Sequence, residues 1–196
     1  MISPLLSLLA CADTAVDTLD DWLEIRISAS DDDAEEDTDG VINMDSSDLE
    51  LTTEDTAQTV GLRFAQISLP GGATVLEATV QFEVDEISPF PTFLSLKGQL
   101  DPAPLAFSEA TDDLSRRART NETVTWDPDV WATPGAAGAE QRTPDLAPLL
   151  QELIDQPGWV RHNPVVLLIT GTGTRTAKSF DGDPEGAALL RVLWEE

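Results

Sequence analysis

The sequence predicts an all-β fold: a sandwich of antiparallel strands with one short amphipathic helix over residues 143–156. Three observations predict it. Short segments alternate apolar and polar residues, the period-2 mark of strands with one buried face. Turn residues punctuate them, as at Pro70-Gly71-Gly72. Only one segment spaces its apolar residues for a helix. The chain has 196 residues, 41% of them hydrophobic, enough for one domain with its own core. The expected division is a signal-like segment and tether over residues 1–20, then a single β-sandwich domain over residues 21–196.

The elements follow in order. Residues 1–10 read MISPLLSLLA, and Leu8-Leu9-Ala10-Cys11 resembles a bacterial lipobox, which implies a lipid anchor at Cys11. The apolar run is far too short to span a bilayer and lacks a preceding Lys or Arg, so an ordinary apolar tail is the other reading. Residues 12–20 form a polar tether. Residues 22–28 alternate as a strand, and residues 49–51 form a second, short one. Residues 59–68 place Val60, Leu62 and Phe64 on one face, and residues 74–84 do the same with Val80, Phe82 and Val84. Strands follow at 92–100 and 122–126. Residues 165–170 (VVLLIT) are apolar without interruption, the pattern of a strand buried on both faces. Residues 176–180 and 189–194 complete the set. In the helix, Thr143 is placed as N-cap and Pro144 at the first helical position. Leu146, Leu149, Leu150, Leu153 and Ile154 form its buried stripe, and Pro157-Gly158 ends it. Residues 102–121 and 127–142 are expected to be the least structured.

Charge narrows the function classes. The formal net charge is −26, which excludes binding a nucleic-acid backbone or an anionic membrane surface by charge. Membrane association would come only through a lipid at Cys11. One Cys and one His exclude an internal disulfide and a Cys/His zinc site. The acidic residues are concentrated: residues 13–55 hold 17 of them and a single basic residue, Arg26. Such crowding means mutual repulsion unless cations offset it. It reads either as a solvated acidic face or as a divalent-cation site.

Calcium takes six to eight oxygens and suits carboxylates at alternate positions around a turn. Glu35-x-Asp37-x-Asp39-Gly40 and Asp181-x-Asp183-x-Glu185-Gly186 both have that form. Neither is an EF-hand, because the twelfth positions are Ser46 and Val192. Further ligands would come from Asp31, Asp32, Asp33, Glu36, Asp45, Asp48 and Glu50. The expectation is one or two structural calcium ions where residues 31–50 meet residues 181–185.

The order of motifs resembles the secreted bacterial DNRLRE-type jelly-roll domains, which are related to carbohydrate-binding modules. Residues 61–75 (GLRFAQISLPGGATV), Glu77-Ala78 with Val80 and Phe82, and Val124-Thr125-Trp126 are similar to successive pieces of that pattern. So are residues 143–159, 163–171, Ser179-Phe180 and the closing residues 189–192. The resemblance spans roughly residues 22–194. It implies a jelly-roll sandwich, an extracellular or cell-surface setting and, in some relatives, bound calcium. The acidic run at 31–48 is richer than the usual pattern, and no exposed aromatic platform is identifiable.

Catalysis has little support in the sequence. His162 is the sole histidine, beside a turn, and only Lys97 and Lys178 supply ammonium groups. Arg116, Arg117 and Arg119 are read as a solvated loop. Trp22, Trp126 and Trp194 lie in strands as packing residues, and Trp159 covers the helix end. Trp131, in a loop, is the candidate for stacking on a sugar, with packing over the sandwich end as the alternative. The leading expectation is a non-catalytic, calcium-stabilised surface module that binds a polysaccharide or cell-surface glycan, or mediates adhesion. The alternatives are a self-assembling subunit of a surface layer or filament, and a polysaccharide hydrolase or lyase.

Overall fold

The computed structural model describes residues 22–196. The lipobox-like segment and Cys11 lie outside the described residues. The strands are β1 (Leu23–Arg26), β2 (Asp33–Glu36), β3 (Ile42–Asn43), β4 (Asp48–Glu50), β5 (Thr59–Phe64), β6 (Thr74–Gln81), β7 (Phe93–Gly98) and β8 (Val124–Trp126). Helix α1 (Ala147–Ile154) comes next, followed by β9 (Val165–Thr172), β10 (Thr176–Lys178) and β11 (Leu189–Glu195). Every ladder is antiparallel. One layer is a six-stranded sheet in the order β3-β2-β5-β9-β7-β8. The other holds β1-β11-β6 and the pair β10-β4, linked where Val84 bridges Ala177. This is the all-β sandwich with one helix that the periodicity predicts.

The core lies between the layers. Val60, Leu62, Phe64, Leu94, Leu96, Val165, Leu167 and Ile169 of the large sheet meet Val80, Leu190, Val192, Leu49 and Ala177 of the other layer. The helix adds Leu149, Leu150, Leu153 and Ile154. The apolar run in β9 is buried on both faces, as its pattern requires. Its Val166 and Leu168 point away from the main core into a second cluster with Ala34, Phe107 and Leu114.

That second cluster exists because residues 102–121 are more ordered than expected. They cover the outer face of the large sheet. Arg117 pins them: its guanidinium donates to the carbonyls of Leu105 and Ala106 at 2.9 and 3.1 Å, to Gln99 at 2.8 Å and to Asp113 at 2.8 Å. It also lies over the Phe107 ring. Of the three arginines read as solvated, this one is fastened to the protein, because its donors find three loop carbonyls, the Asp113 carboxylate and the Gln99 side chain.

The helix is shorter at its start than the sequence predicts. Thr143 and Asp145 spend their side chains on a strand. Thr143 Oγ1 accepts the Val80 N–H at 3.0 Å, and Asp145 Oδ1 accepts the Ala78 N–H at 3.0 Å. Their segment donates back from Thr143 and Leu146 to the carbonyls of Val80 and Ala78. Residues 141–146 therefore close the outer edge of β6, which would otherwise expose a row of unpaired amides. Asp145 also accepts the Ala147 N–H at 2.9 Å, and Pro148 sits in the first turn. The edge-closing role makes a prediction. Thr143→Val keeps the shape and strands the buried Val80 N–H. It should cost about 1–3 kcal/mol in urea unfolding, whereas the neighbouring exposed Pro144→Ala should cost far less.

Candidate functional site

The structure turns the first acidic segment into something the sequence did not suggest. Asp33-Ala34-Glu35-Glu36 is a strand, β2, buried along its whole length between β3 and β5. Asp and Glu are poor strand formers, so the acidic run read as a turn. What permits the strand is that its carboxylates each receive donors from elsewhere in the chain. On one face, Asp33 Oδ2 accepts the Phe180 N–H at 2.8 Å and Glu35 Oε1 accepts the Glu50 N–H at 2.7 Å. On the other, Glu36 Oε2 accepts the N–H groups of Leu114 and Ser115 at 2.7 and 3.0 Å. Just before the strand, the carboxylate of buried Asp32 is paired with Arg63.

Burial has an electrostatic consequence. It pushes Asp33 up to about 7, opposed by the Phe180 N–H and reinforced by the charge of Asp181. It also raises Glu35 and, beside it, Glu50, and the two carboxyls share a hydrogen bond. Asp32 is raised for the same reason, with Arg63 pulling the other way.

The turn after β2 is built by Asp37, whose Oδ1 accepts the N–H groups of Asp39 and Val41, both at 2.9 Å. Gly40 follows at φ 77°. Asp39 and Asp45 are exposed. Glu35, Asp37, Asn43, Glu54, Asp55 and Gln58 line an open depression of about 290 Å³.

The two acidic segments do meet. β1 pairs with β11, and β4 pairs with β10, with Asp48 opposite Lys178. Ser30 Oγ donates to Asp181 at 2.8 Å, and Ser179 Oγ donates to the Ser46 carbonyl at 2.6 Å. Within the second acidic turn, Asp183 accepts from Lys178 Nζ at 2.8 Å and from the Glu185 N–H at 3.2 Å. Asp183 is therefore held below the usual carboxylate range, chiefly by Lys178. The exposed side chain of Glu185 points to no partner among the described residues.

A third segment joins them. Carboxylate oxygens of Asp48, Asp85 and Glu86 lie within 4.8 Å of one another. Asp48 was among the expected ligands. Asp85 and Glu86 were not, since nothing local marks them. They arrive because the chain beyond β6 pairs with β10, through the Asp85 N–H to the Thr176 carbonyl at 2.9 Å. Oxygens bound to one calcium at 2.3–2.6 Å lie at most about 5 Å apart, so this triad has the spacing and hard-oxygen chemistry that calcium takes.

The sugar-stacking expectation for Trp131 is corrected. Its ring is fully buried, and its Nε1–H donates to the Glu140 carbonyl at 3.3 Å. It packs against Phe82 and Trp126, with ring centroids 6.3 and 6.4 Å away. No face is left for a sugar. The loop looked exposed because its sequence is rich in Pro and Asp. The structure instead closes it over the end of the sandwich, where the Ser88 N–H donates to the Trp131 carbonyl at 2.8 Å.

Sequence reasoning also missed Arg175, which is 1% exposed. Its guanidinium donates to the carbonyls of Asp129, Phe90, Thr174 and Pro128 at 2.7–2.9 Å, and to Thr92 Oγ1 at 2.7 Å. Burial holds its pKa below the ordinary arginine value, with Asp129 opposing. The run Gly171-Thr172-Gly173-Thr174-Arg175 is the signal available in the sequence. A Cβ on Gly171 would sit 2.2 Å from the Phe93 carbonyl oxygen, and one on Gly173 would sit 2.3 Å from that of Pro91. The glycines admit the 90–93 backbone, and Arg175 ties it down.

The raised carboxyls fix the sign of a pH dependence. In the native state Asp33 holds its proton to about pH 7 and Glu35 to higher pH, whereas unfolded carboxyls lose theirs near pH 4. The native state therefore binds more protons over that window, and stability falls as pH rises. Melts in EDTA should show Tm dropping between pH 5 and pH 8, and Glu35→Gln should flatten the drop. Among the described residues, no helix is long and apolar enough to cross a membrane. Comparison of the chain with protein-family models and with curated proteins finds no match.

Proposed function

We propose that this protein is a non-catalytic, extracellular β-sandwich module, stabilised by calcium, that mediates adhesion. The convergence of Asp48, Asp85 and Glu86 carries the calcium part of this reading. Three carboxylates from two segments, Asp48 of β4 and Asp85-Glu86 after β6, are drawn together beside the second acidic turn, where Asp48 lies opposite Lys178. Their repulsion is largest when no cation is bound. The ammonium of Lys178 offsets part of it but is engaged by Asp183 at 2.8 Å and Glu83 at 3.8 Å. Calcium would fasten β4 to the segment after β6, that is, the start of the domain to its middle. The resemblance to DNRLRE-type domains points the same way.

The non-catalytic reading is supported by how the carboxylates are used. Asp33, Glu35 and Glu36 accept backbone N–H groups and hold loops in place, which is structural work. His162 is exposed in a turn at φ 75°. Adhesion is favoured over sugar binding because the aromatic residue expected to stack on a sugar, Trp131, is sealed in the core.

The test is a thermal melt of the full chain in EDTA, 2 mM magnesium and 2 mM calcium at fixed ionic strength. A site filled at a hundredfold excess over Kd adds about 2.7 kcal/mol to stability. Calcium alone should raise Tm by several degrees. Asp85→Asn combined with Glu86→Gln should abolish that rise without lowering Tm in EDTA. Equal melts in all three conditions would sink the calcium reading and leave a screened acidic face.

A further inference from the structure

At the end of the sandwich next to Arg175, two loops present an apolar surface to solvent. Ile87 is 61% exposed, Phe90 70%, Phe93 56% and Val130 49%. Large apolar side chains singly on a surface are ordinary, but here they are gathered. Phe90 and Asp129 lend their carbonyls to the same guanidinium, at 2.8 and 2.9 Å, so the loops carrying Phe90 and Val130 lie side by side. The bridge between Ser88 and Trp131 places Val130 across from Pro89.

The mounting beneath is rigid. Thr92 Oγ1 donates to the Thr174 carbonyl at 2.9 Å, and the Thr176 N–H donates to Ser88 Oγ at 3.1 Å. Ser88 and Thr92 of one loop and Pro128 and Trp131 of the other are buried anchors, and the residues between each pair are exposed. A protein that fixes exposed aromatic side chains this firmly gains no stability from the exposure. It gains a surface that needs little ordering when something binds.

We infer that this end of the molecule is a docking surface for a basic protein segment bearing apolar anchor residues. The inference supplies the adhesive reading with a partner class. It is read at Phe90, Phe93 and Val130, apart from Asp48, Asp85 and Glu86, and both with and without calcium, so its failure and that of the calcium site are separable.

Chemistry on the page chooses the occupant. The outward side chains of Ile87, Phe90, Phe93 and Val130 have no donor or acceptor. A sugar gains no hydrogen bond from these side chains and would meet only the Phe90 and Phe93 rings with a C–H face, whereas apolar anchors bury against all four. Asp127 and Asp129 are exposed on either side of Pro128, next to Val130, and neither loop contains a Lys or Arg. The positive charge of Arg175 lies beneath the surface and is consumed by carbonyls. A second copy would bring another −26 to the contact. A basic segment meets both the apolar side chains and the flanking carboxylates with complementary groups.

The probe is a synthetic peptide alternating leucine with lysine, compared with its leucine–glutamate analogue and with a panel of neutral oligosaccharides. Each is titrated into the isotopically labelled full chain, in EDTA and again in calcium, and followed by amide NMR shifts. The lysine peptide should move amides in residues 89–93 and 127–131 in both conditions. Phe90→Ser with Phe93→Ser should weaken it at least tenfold while leaving Tm unchanged, since both side chains are exposed. Asp127→Asn with Asp129→Asn should weaken it several-fold and reduce its salt dependence. Four results would overturn the proposal: shifts spread over the acidic face and insensitive to the serine variant, equal binding of the glutamate peptide, oligosaccharides that shift these loops instead, or self-association abolished by the serine variant.

Discussion

The arrangement depends on burying four consecutive residues, three of them acidic. A carboxylate taken out of water must be neutralised or given donors, and β2 achieves both. Asp33, Glu35 and Glu36 each draw a backbone N–H from a distant segment: Phe180, Glu50 and Leu114 with Ser115. These bonds pin the turn before β11, the strand β4 and the loop over the outer face. Each tied segment brings another feature with it. The turn brings Asp181 and Asp183, β4 brings Asp48, and the loop brings Phe107 and Leu114 to seal the second apolar cluster. A strand that looks unfavourable by propensity is thus the point from which three connections are positioned.

The same burial gives the acidic face its electrical character. Some of its charge is suppressed, because Asp33 and Glu35 retain protons at pH values where surface carboxylates have lost theirs. Some is neutralised by Arg63 and Lys178. What is left is carried by groups such as Asp48, Asp85 and Glu86, whose oxygens sit close enough together to share one ion. A cation there would act between β4 and the segment after β6 rather than within one loop, which is why neither acidic half-motif points to this cluster.

The opposite strategy operates at the Arg175 end. There a buried cation is satisfied by carbonyl dipoles rather than by a carboxylate. Such a group is costly to bury, so its removal would leave several carbonyls unpaired at once. Its return is geometric: two loops and the β9–β10 turn are held in one arrangement, with their apolar side chains outward. The −26 charge opposes the approach of a second copy to this apolar surface.

The sequence by itself determined the strands whose faces alternate, the double burial of β9 and the apolar stripe of the helix. Each of these follows from residues two to four positions apart, and period is a local property. It also determined the charge and what that charge excludes. Tertiary structure alone decided that residues 33–36 form a strand, that Trp131 is core and that Thr143 serves β6 rather than the helix. It decided, too, that Asp85 and Glu86 stand beside Asp48. The reason is the same in every case. The state of a polar or aromatic side chain depends on which donors, acceptors and apolar neighbours the fold brings to it. Here the Phe180 N–H, for one, reaches Asp33 from 147 residues away.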